Sequence, residues 1–159
     1  MTPEPSIAFR ELLAYTDYLA NRWLNYFAQN PGALQVNVGG KTGSIRDLVA
    51  HIFFVEGYFA CRLLSVEPPP KPEAPSLDDL AKIHQAAQEG LLSFISSASE
   101  DDLRRTQSFG PVSSVSNRKI LAQAALHGVH HWAQIAMEVR QAGFPTEKPQ
   151  DIIITDVMA

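Results

Sequence analysis

Apolar positions that recur every three or four residues predict four long helices along this chain. The predicted helices cover residues 6–29, 44–65, 76–97 and 117–142. This spacing places the apolar side chains on one face of each helix, where neighbouring helices can bury them. At 1.5 Å per residue, helices of about 20 to 26 residues are roughly 30 to 39 Å long, which is typical of an antiparallel bundle. The pattern therefore predicts an all-α protein with a four-helix bundle.

Residues at the predicted helix ends support these boundaries. Ser6 is a candidate N-cap of the first helix, and Ser44 and Ser76 each begin a sequence that resembles a capping box. The sequence NPG at residues 30–32 ends the first helix, because the residue before a proline avoids the helical conformation. Gly143 can adopt the left-handed conformation that ends the last helix.

The segments between the helices are long, so neighbours in sequence need not be up-and-down neighbours in the bundle. A proline-rich linker near residues 66–75 cannot continue a helix, since its prolines lack amide donors. A short helical turn is predicted at residues 99–105, followed by a possible hairpin around Gly110. The apolar tail at residues 151–159 is expected to pack back on the bundle.

Composition narrows the class of protein. The 159 residues, 45% of them hydrophobic and 19% charged, predict a single folded domain over residues 1–159. A net charge of −4 argues against nucleic-acid binding. The single cysteine, Cys61, excludes an internal disulfide. With no evident signal peptide and no apolar run long enough to span a membrane, we expect a soluble cytoplasmic protein.

Three histidines stand where the apolar pattern calls for buried side chains. His127 and His131 lie four residues apart, so they share one face of the last helix and can offer two nitrogens to one ion. His51 lies on the inward stripe of the second helix, between Leu48 and Val55. If the three imidazoles converge, they form a three-nitrogen metal site with open positions, as catalytic sites have. The alternative is a set of hydrogen-bonded core histidines.

The other polar candidates have lesser predicted roles. His130 is about 100° around the helix from His131 and is expected outside the site, and His84, on the polar edge of the third helix, is expected to be structural. Asp47, Gln134 and Glu138 are candidates for orienting the ligands or handling protons, although a helix cap already explains Asp47. Cys61 is interpreted as a small core residue rather than a nucleophile.

Two segments resemble the DinB/YfiT-like family. SIRDLVAHIFFVEGYFACRLL, at residues 44–64, is similar to that family's second helix, and ILAQAALHGVHHWAQIAMEVRQAG, at residues 120–143, is similar to its fourth. The resemblance implies a four-helix bundle in which His51, His127 and His131 hold a divalent metal such as zinc or nickel. It also implies a homodimer and, for some members, chemistry that uses low-molecular-weight thiols.

The sequence departs from this family beside the ligands. Trp132 and Ala133 stand where the family often has arginine and glycine, so the guanidinium suited to a carboxylate is missing. Trp132 either narrows a pocket or strengthens an interface.

Two functions remain open at this level. The leading hypothesis is a divalent-metal-dependent enzyme that activates water or a small thiol, for hydrolysis or thiol transfer on a small-molecule substrate. The alternative is a non-catalytic, metal-stabilised bundle that acts as a binding or dimerisation module. In that case Phe53 and Phe54, expected to be exposed, would contact a partner helix.

Overall fold

A computed structural model describes residues 5–145 and has four long helices, as predicted, with a short helix and two hairpins between them. The elements in chain order are α1 (Pro5–Gln29), a 3-10 helix (Pro31–Gln35), β1 (Asn37–Gly39), β2 (Gly43–Ser44), α2 (Ile45–Leu64), α3 (Leu77–Ser97), α4 (Glu100–Arg104), β3 (Thr106–Phe109), β4 (Val112–Ser116) and α5 (Asn117–Gln141). The predicted short helix and the hairpin around Gly110 are confirmed. The predicted packing of the tail at residues 151–159 lies outside the described residues.

Serine side chains begin most of the helices. Ser44, Ser76 and Ser99 each form a complete capping box with the aspartate three residues later, and Ser116 caps α5 from its side chain alone. The cap predicted at Ser6 is wrong, since α1 already begins at Pro5. A proline suits the first turn of a helix because its fixed φ is helical and its missing amide donor has no partner there.

The second and third helices run parallel, which agrees with the expectation that a long connection need not join up-and-down neighbours. The Phe53 and His84 rings lie 4.7 Å apart, and further along both helices a Cβ on Gly90 would stand 3.0 Å from that of Ala60. A side chain at Gly90 would therefore push α2 and α3 apart. The α2 and α5 helices are antiparallel, because His51 faces His131 at one end while Phe59 faces His127 further along.

The proline-rich linker makes the parallel pair possible. The 20 residues of α2 extend about 30 Å at 1.5 Å per residue. Residues 66–75 are non-helical with a bend at Glu73 and Ala74, and ten residues can span up to about 31 Å at about 3.1 Å per residue, which is enough to cover this distance. The linker thus returns the chain to the starting end of α2, where Arg46 donates a hydrogen bond to the carbonyl of Pro75.

The first and last helices form the second parallel pair. Trp23 of α1 stacks on Trp132 of α5 with ring centroids 5.9 Å apart, and further along Tyr26 donates a hydrogen bond to the carbonyl of Pro145. Each of these helices also packs antiparallel to one neighbour, α1 to α3 and α5 to α2. Around the bundle the order is therefore α1, α3, α2, α5. Within residues 5–145, no helix is long and apolar enough to cross a membrane.

A buried polar cluster, which we call the His84 cluster, joins α1, α2 and α3. His84 Nδ1 lies 2.9 Å from Glu56 Oε2, and its Nε2 lies 3.0 Å from Asp17 Oδ1. Gln88 donates to Glu56 and to Thr16. His84 is structural, as predicted, but its expected place on a polar edge is wrong, since only 2% of its surface is exposed.

The inward face of α2 differs slightly from the predicted stripe. Glu56, with 3% of its surface exposed, faces the core, whereas the neighbouring Val55 is only partly buried. A buried carboxylate is stable only with partners, and the His84 cluster supplies them. Glu56 is the only acidic residue between Asp47 and Glu67, and such an isolated charge in an apolar stretch is the sequence feature that could have indicated its burial.

The His84 ring is held in its charged form. Burial acts to lower its pKa, but hydrogen bonds to Asp17 and Glu56, together with their negative charges, raise the pKa to about 9. The hydrogen bond from His84 lowers the pKa of Asp17 in turn. Near neutral pH the cluster is a histidinium between two carboxylates.

The His84 cluster predicts that stability declines at alkaline pH. The folded pKa of about 9 exceeds the ordinary value of 6.5, so the contribution is complete below pH 6.5 and is lost as the pH rises through 9. The difference corresponds to roughly 3 kcal/mol of the free energy of unfolding. Urea unfolding of the wild type and of His84→Gln at a series of pH values measures it.

The His84→Gln variant removes the titrating ring and serves as the matched control. We expect the wild-type advantage over this variant to shrink steadily between pH 6.5 and 9.5. Curves that stay parallel over that range would show that the His84 ring is not held as a cation.

Candidate metal centre

The structure brings together the three histidines that the sequence singled out. His51 lies on α2, and His127 and His131 lie on successive turns of α5, facing it across the antiparallel contact. One ring nitrogen from each lies within 4.8 Å of the other two. The separations between ring centroids are 5.0 Å for His51 and His127, 5.2 Å for His51 and His131, and 4.7 Å for His127 and His131.

These separations suit one shared cation. Two nitrogens bound tetrahedrally to one ion at 2.0–2.1 Å stand about 3.3 Å apart, so small side-chain rotations bring the rings into range. All three side chains are only partly buried. The expectation that the three histidines point into the bundle is thus only half right. The group, which we call the histidine triad, lies at the rim of the bundle.

Burial keeps two of the rings neutral. The pKa of His127 is lowered to about 4, first by burial and then by the nearby rings of His131, His51 and His130. Burial also lowers the pKa of His51, with smaller effects from His131 and from Lys71 in the proline-rich linker. A neutral imidazole has the free lone pair that a metal ligand needs.

One nitrogen of the triad lacks a protein partner. His127 Nδ1 is fully buried and makes no hydrogen bond to any residue within the described part of the chain. Buried polar atoms are nearly always paired, so this unpaired nitrogen, on a ring whose centroid lies 5.0 and 4.7 Å from those of two other imidazoles, fits a site completed by a ligand from outside the chain.

Of the three candidates for orienting the ligands, Gln134 contacts the triad. Its Oε1 lies 3.3 Å from His131 Nδ1, so a proton on that nitrogen leaves Nε2 available to an ion. Asp47 instead accepts hydrogen bonds from Ser44 in the capping box of α2. Glu138 is partly buried one turn beyond Gln134 on α5.

Other predicted positions fall away from the triad. His130 is exposed and is not in the group of three, although its ring lies 5.3 Å from that of His131. Cys61 is partly buried and lines an apolar cavity of about 340 Å³ between α2 and α3. It is therefore at the edge of the core rather than inside it.

The expected exposure of the two phenylalanines beside His51 is wrong. Phe53 is fully buried and contacts Trp132 and His84, and Phe54 is partly buried in the wall of the α2–α3 cavity. Both rings therefore pack against other residues of the bundle, because α3 lies against that side of α2.

Trp132 belongs to the core of the bundle. Only 1% of its surface is exposed, and it stacks on Trp23. It therefore neither narrows the opening of the triad nor forms a surface for a partner.

An aromatic wall beside the triad was not predicted. The Phe59 ring lies 6.4 Å from that of His127, and Phe109, from the β3–β4 hairpin, packs against Phe59 and Tyr58. Periodicity could indicate that Phe59 is buried, but it carries no information about where a hairpin places Phe109.

Comparisons with known proteins agree with this fold. The DinB family model matches residues 8–152. A similar solved structure is the DinB-like protein YjoA from Bacillus subtilis, which has 22% sequence identity, a TM-score of 0.62, and coverage of 91% of this chain and 94% of its own. No curated protein matches the sequence. Because the family model matches nearly the whole length of the chain, this protein belongs to the DinB family.

Proposed function

We propose that the histidine triad binds a divalent metal ion, and that the protein is a metal-dependent enzyme that activates water or a small thiol. The observation that carries the proposal is the meeting of three ring nitrogens within 4.8 Å at a partly exposed rim. Three nitrogen ligands that come from rigid helices leave at least one coordination position for another molecule.

The donor set selects the class of ion. Imidazole nitrogens favour borderline ions such as zinc and nickel, whereas magnesium and calcium prefer oxygen ligands. Within residues 5–145, this histidine-only group is the one cluster of three or more metal-ligating side chains, so no carboxylate joins it as a further ligand.

The chain's own residues prepare this chemistry. Burial holds His51 and His127 neutral, and Gln134 fixes the ring of His131. An ion bound there lowers the pKa of a water or thiol in its open position, which makes an anionic nucleophile available near neutral pH. Glu138, one turn beyond Gln134, is our candidate for accepting the released proton.

One observation favours a structural role as the second candidate. The ligands come from α2 and α5, which are separated in sequence by α3, α4 and the β3–β4 hairpin. An ion that binds all three cross-links these helices and stabilises the folded state by mass action. The protein would then be a metal-stabilised bundle without turnover.

The metal site predicts a clear difference between two neighbouring histidines. We expect His127→Ala to lower bound zinc or nickel well below one ion per chain, because it removes a ligand. The matched variant His130→Ala should retain the wild-type content, since His130 is exposed and outside the triad. Elemental analysis of untagged protein makes the measurement, and equal losses in both variants would contradict the assignment.

The Gln134 contact predicts a smaller, graded effect. Gln134→Met keeps the length of the side chain but removes the acceptor for His131 Nδ1. We expect metal affinity to fall by about 10- to 100-fold, as for other partners of metal-bound histidines. Competition with a chelator measures the affinity, and Gln141→Met, an exposed position on the same helix, is the control. An unchanged affinity would show that Gln134 does not orient the ligand.

A cobalt-substituted protein separates the two candidate functions. If the site has an open position, small thiols should change the visible spectrum of the bound cobalt, because a new ligand alters its coordination. If the site is purely structural, removal of the ion by a chelator should lower the melting temperature of the protein, and thiols should leave the spectrum of the bound cobalt unchanged. That second combination of results would remove the enzyme proposal.

A further inference from the structure

A separate pocket lies beside the histidine triad, between α2, α5 and the β3–β4 hairpin. Its volume is about 260 Å³, and its lining consists of Phe59, Phe109, Val115, Lys119, Ile120 and Gln123. Four of these side chains are apolar, and the two polar ones are exposed on α5. The base of the pocket is formed by Phe59, Val115 and Ile120, which are buried members of one hydrophobic cluster.

The hairpin is fixed over this pocket by polar contacts. Arg62 of α2 donates to the carbonyl of Ser108 at 2.6 Å and to Gln107 Oε1 at 3.1 Å. Gln107 in turn donates to Asn117 at the start of α5, with a distance of 2.8 Å. Both helices that carry the triad therefore hold the hairpin, and Phe109 lies in a defined place.

Phe109 is also held by ring contacts. Its ring centroid is 5.6 Å from that of Tyr58 and 5.7 Å from that of Phe59, and the Arg62 guanidinium lies 5.7 Å from the centre of the Phe109 ring. Aromatic pairs at such separations attract one another beyond their simple burial. The pocket thus has an aromatic side that is already formed.

The pocket and the triad are neighbours that share Phe59, although no triad histidine lines the pocket. Phe59 contributes to the pocket wall and also lies 6.4 Å, between ring centroids, from His127. Gln123 also lines the pocket, and it lies four residues, about one helical turn, before His127 on α5. On the far side of the triad stand the polar side chains of Gln134 and Glu138. The triad therefore lies at the boundary between an apolar and a polar region.

From this arrangement we propose that the pocket binds the apolar, ring-bearing part of the small molecule whose thiol or other donor group occupies the triad. The inference rests on the proposed function and adds a substrate class to it: a small amphipathic molecule with an aromatic or similarly bulky apolar group. Phe109 is the specificity-determining residue. A volume of about 260 Å³ accommodates one such ring, which is the scale of a single apolar subsite.

A comparison of two thiols tests this selectivity. Cobalt-loaded protein is titrated with benzyl mercaptan and with 2-mercaptoethanol, and the thiolate-to-cobalt absorption band reports binding of each. We expect benzyl mercaptan to bind at least about tenfold more tightly, because only its ring is removed from water in the pocket. Phe109→Ala should remove most of this preference while leaving the affinity for 2-mercaptoethanol unchanged.

Two further variants separate a local effect from a loss of folding. Val115→Phe adds bulk at the buried base of the pocket and should also abolish the preference, with Phe109 still present. Leu126→Ala, which is 59% exposed on α5 and outside the pocket, should behave as the wild type. The cobalt content of all three variants should equal that of the wild type, because none alters the triad.

The outcomes distinguish the two proposals. If both thiols change the cobalt band with equal affinity, the pocket does not select the ligand and the inference is overturned, while the proposed metal site stands. The inference is also overturned if the preference for benzyl mercaptan survives in both Phe109→Ala and Val115→Phe. If the wild type binds no cobalt, or its bound cobalt responds to neither thiol, the proposed function fails and takes the inference with it.

Discussion

The antiparallel contact between α2 and α5 is the constraint on which the candidate site depends. His51 meets His127 and His131 across this contact, and Phe53, two residues after His51 on α2, packs against Trp132. The buried Phe53 and Trp132 thus fix the separation and rotation of the two helices. Because those aromatic side chains face the core, His51, two positions before Phe53, and His131, one position before Trp132, are left at the rim. A three-nitrogen group open to small molecules follows from this packing.

The two histidine clusters show how the surroundings decide the chemistry of one side chain. His84 is buried and His127 is partly buried, and burial acts to lower the pKa of each. His84 lies between Asp17 and Glu56, whose hydrogen bonds and charges reverse that effect and keep the ring charged. His127 has only other imidazoles as ionisable neighbours that shift its pKa, so it stays neutral. The first arrangement stabilises three helices, and the second suits a metal ion.

Much of the fold could be predicted because helix periodicity, capping serines and proline breaks are local signals. Ser44 and Ser76 begin α2 and α3 where expected, and Gly143, with φ of +81°, ends α5 as predicted. Helix direction is not local, and the parallel pairing of α2 and α3 depends on how far residues 66–75 extend. The exposure predicted for Phe53 failed for the same reason, since it required knowledge of which helix lies on that side.

The sequence by itself determined the helices, their ends and the three histidines, because a repeat of 3.6 residues assigns each side chain to a face. Only the tertiary structure decided that those faces meet at a rim rather than in the core, and that Phe109 of the hairpin packs against Phe59, whose ring lies 6.4 Å from that of His127. The physical reason is that these relations join residues far apart in the chain. Helix packing and the anchored hairpin set their distances, and no local pattern of residues encodes them.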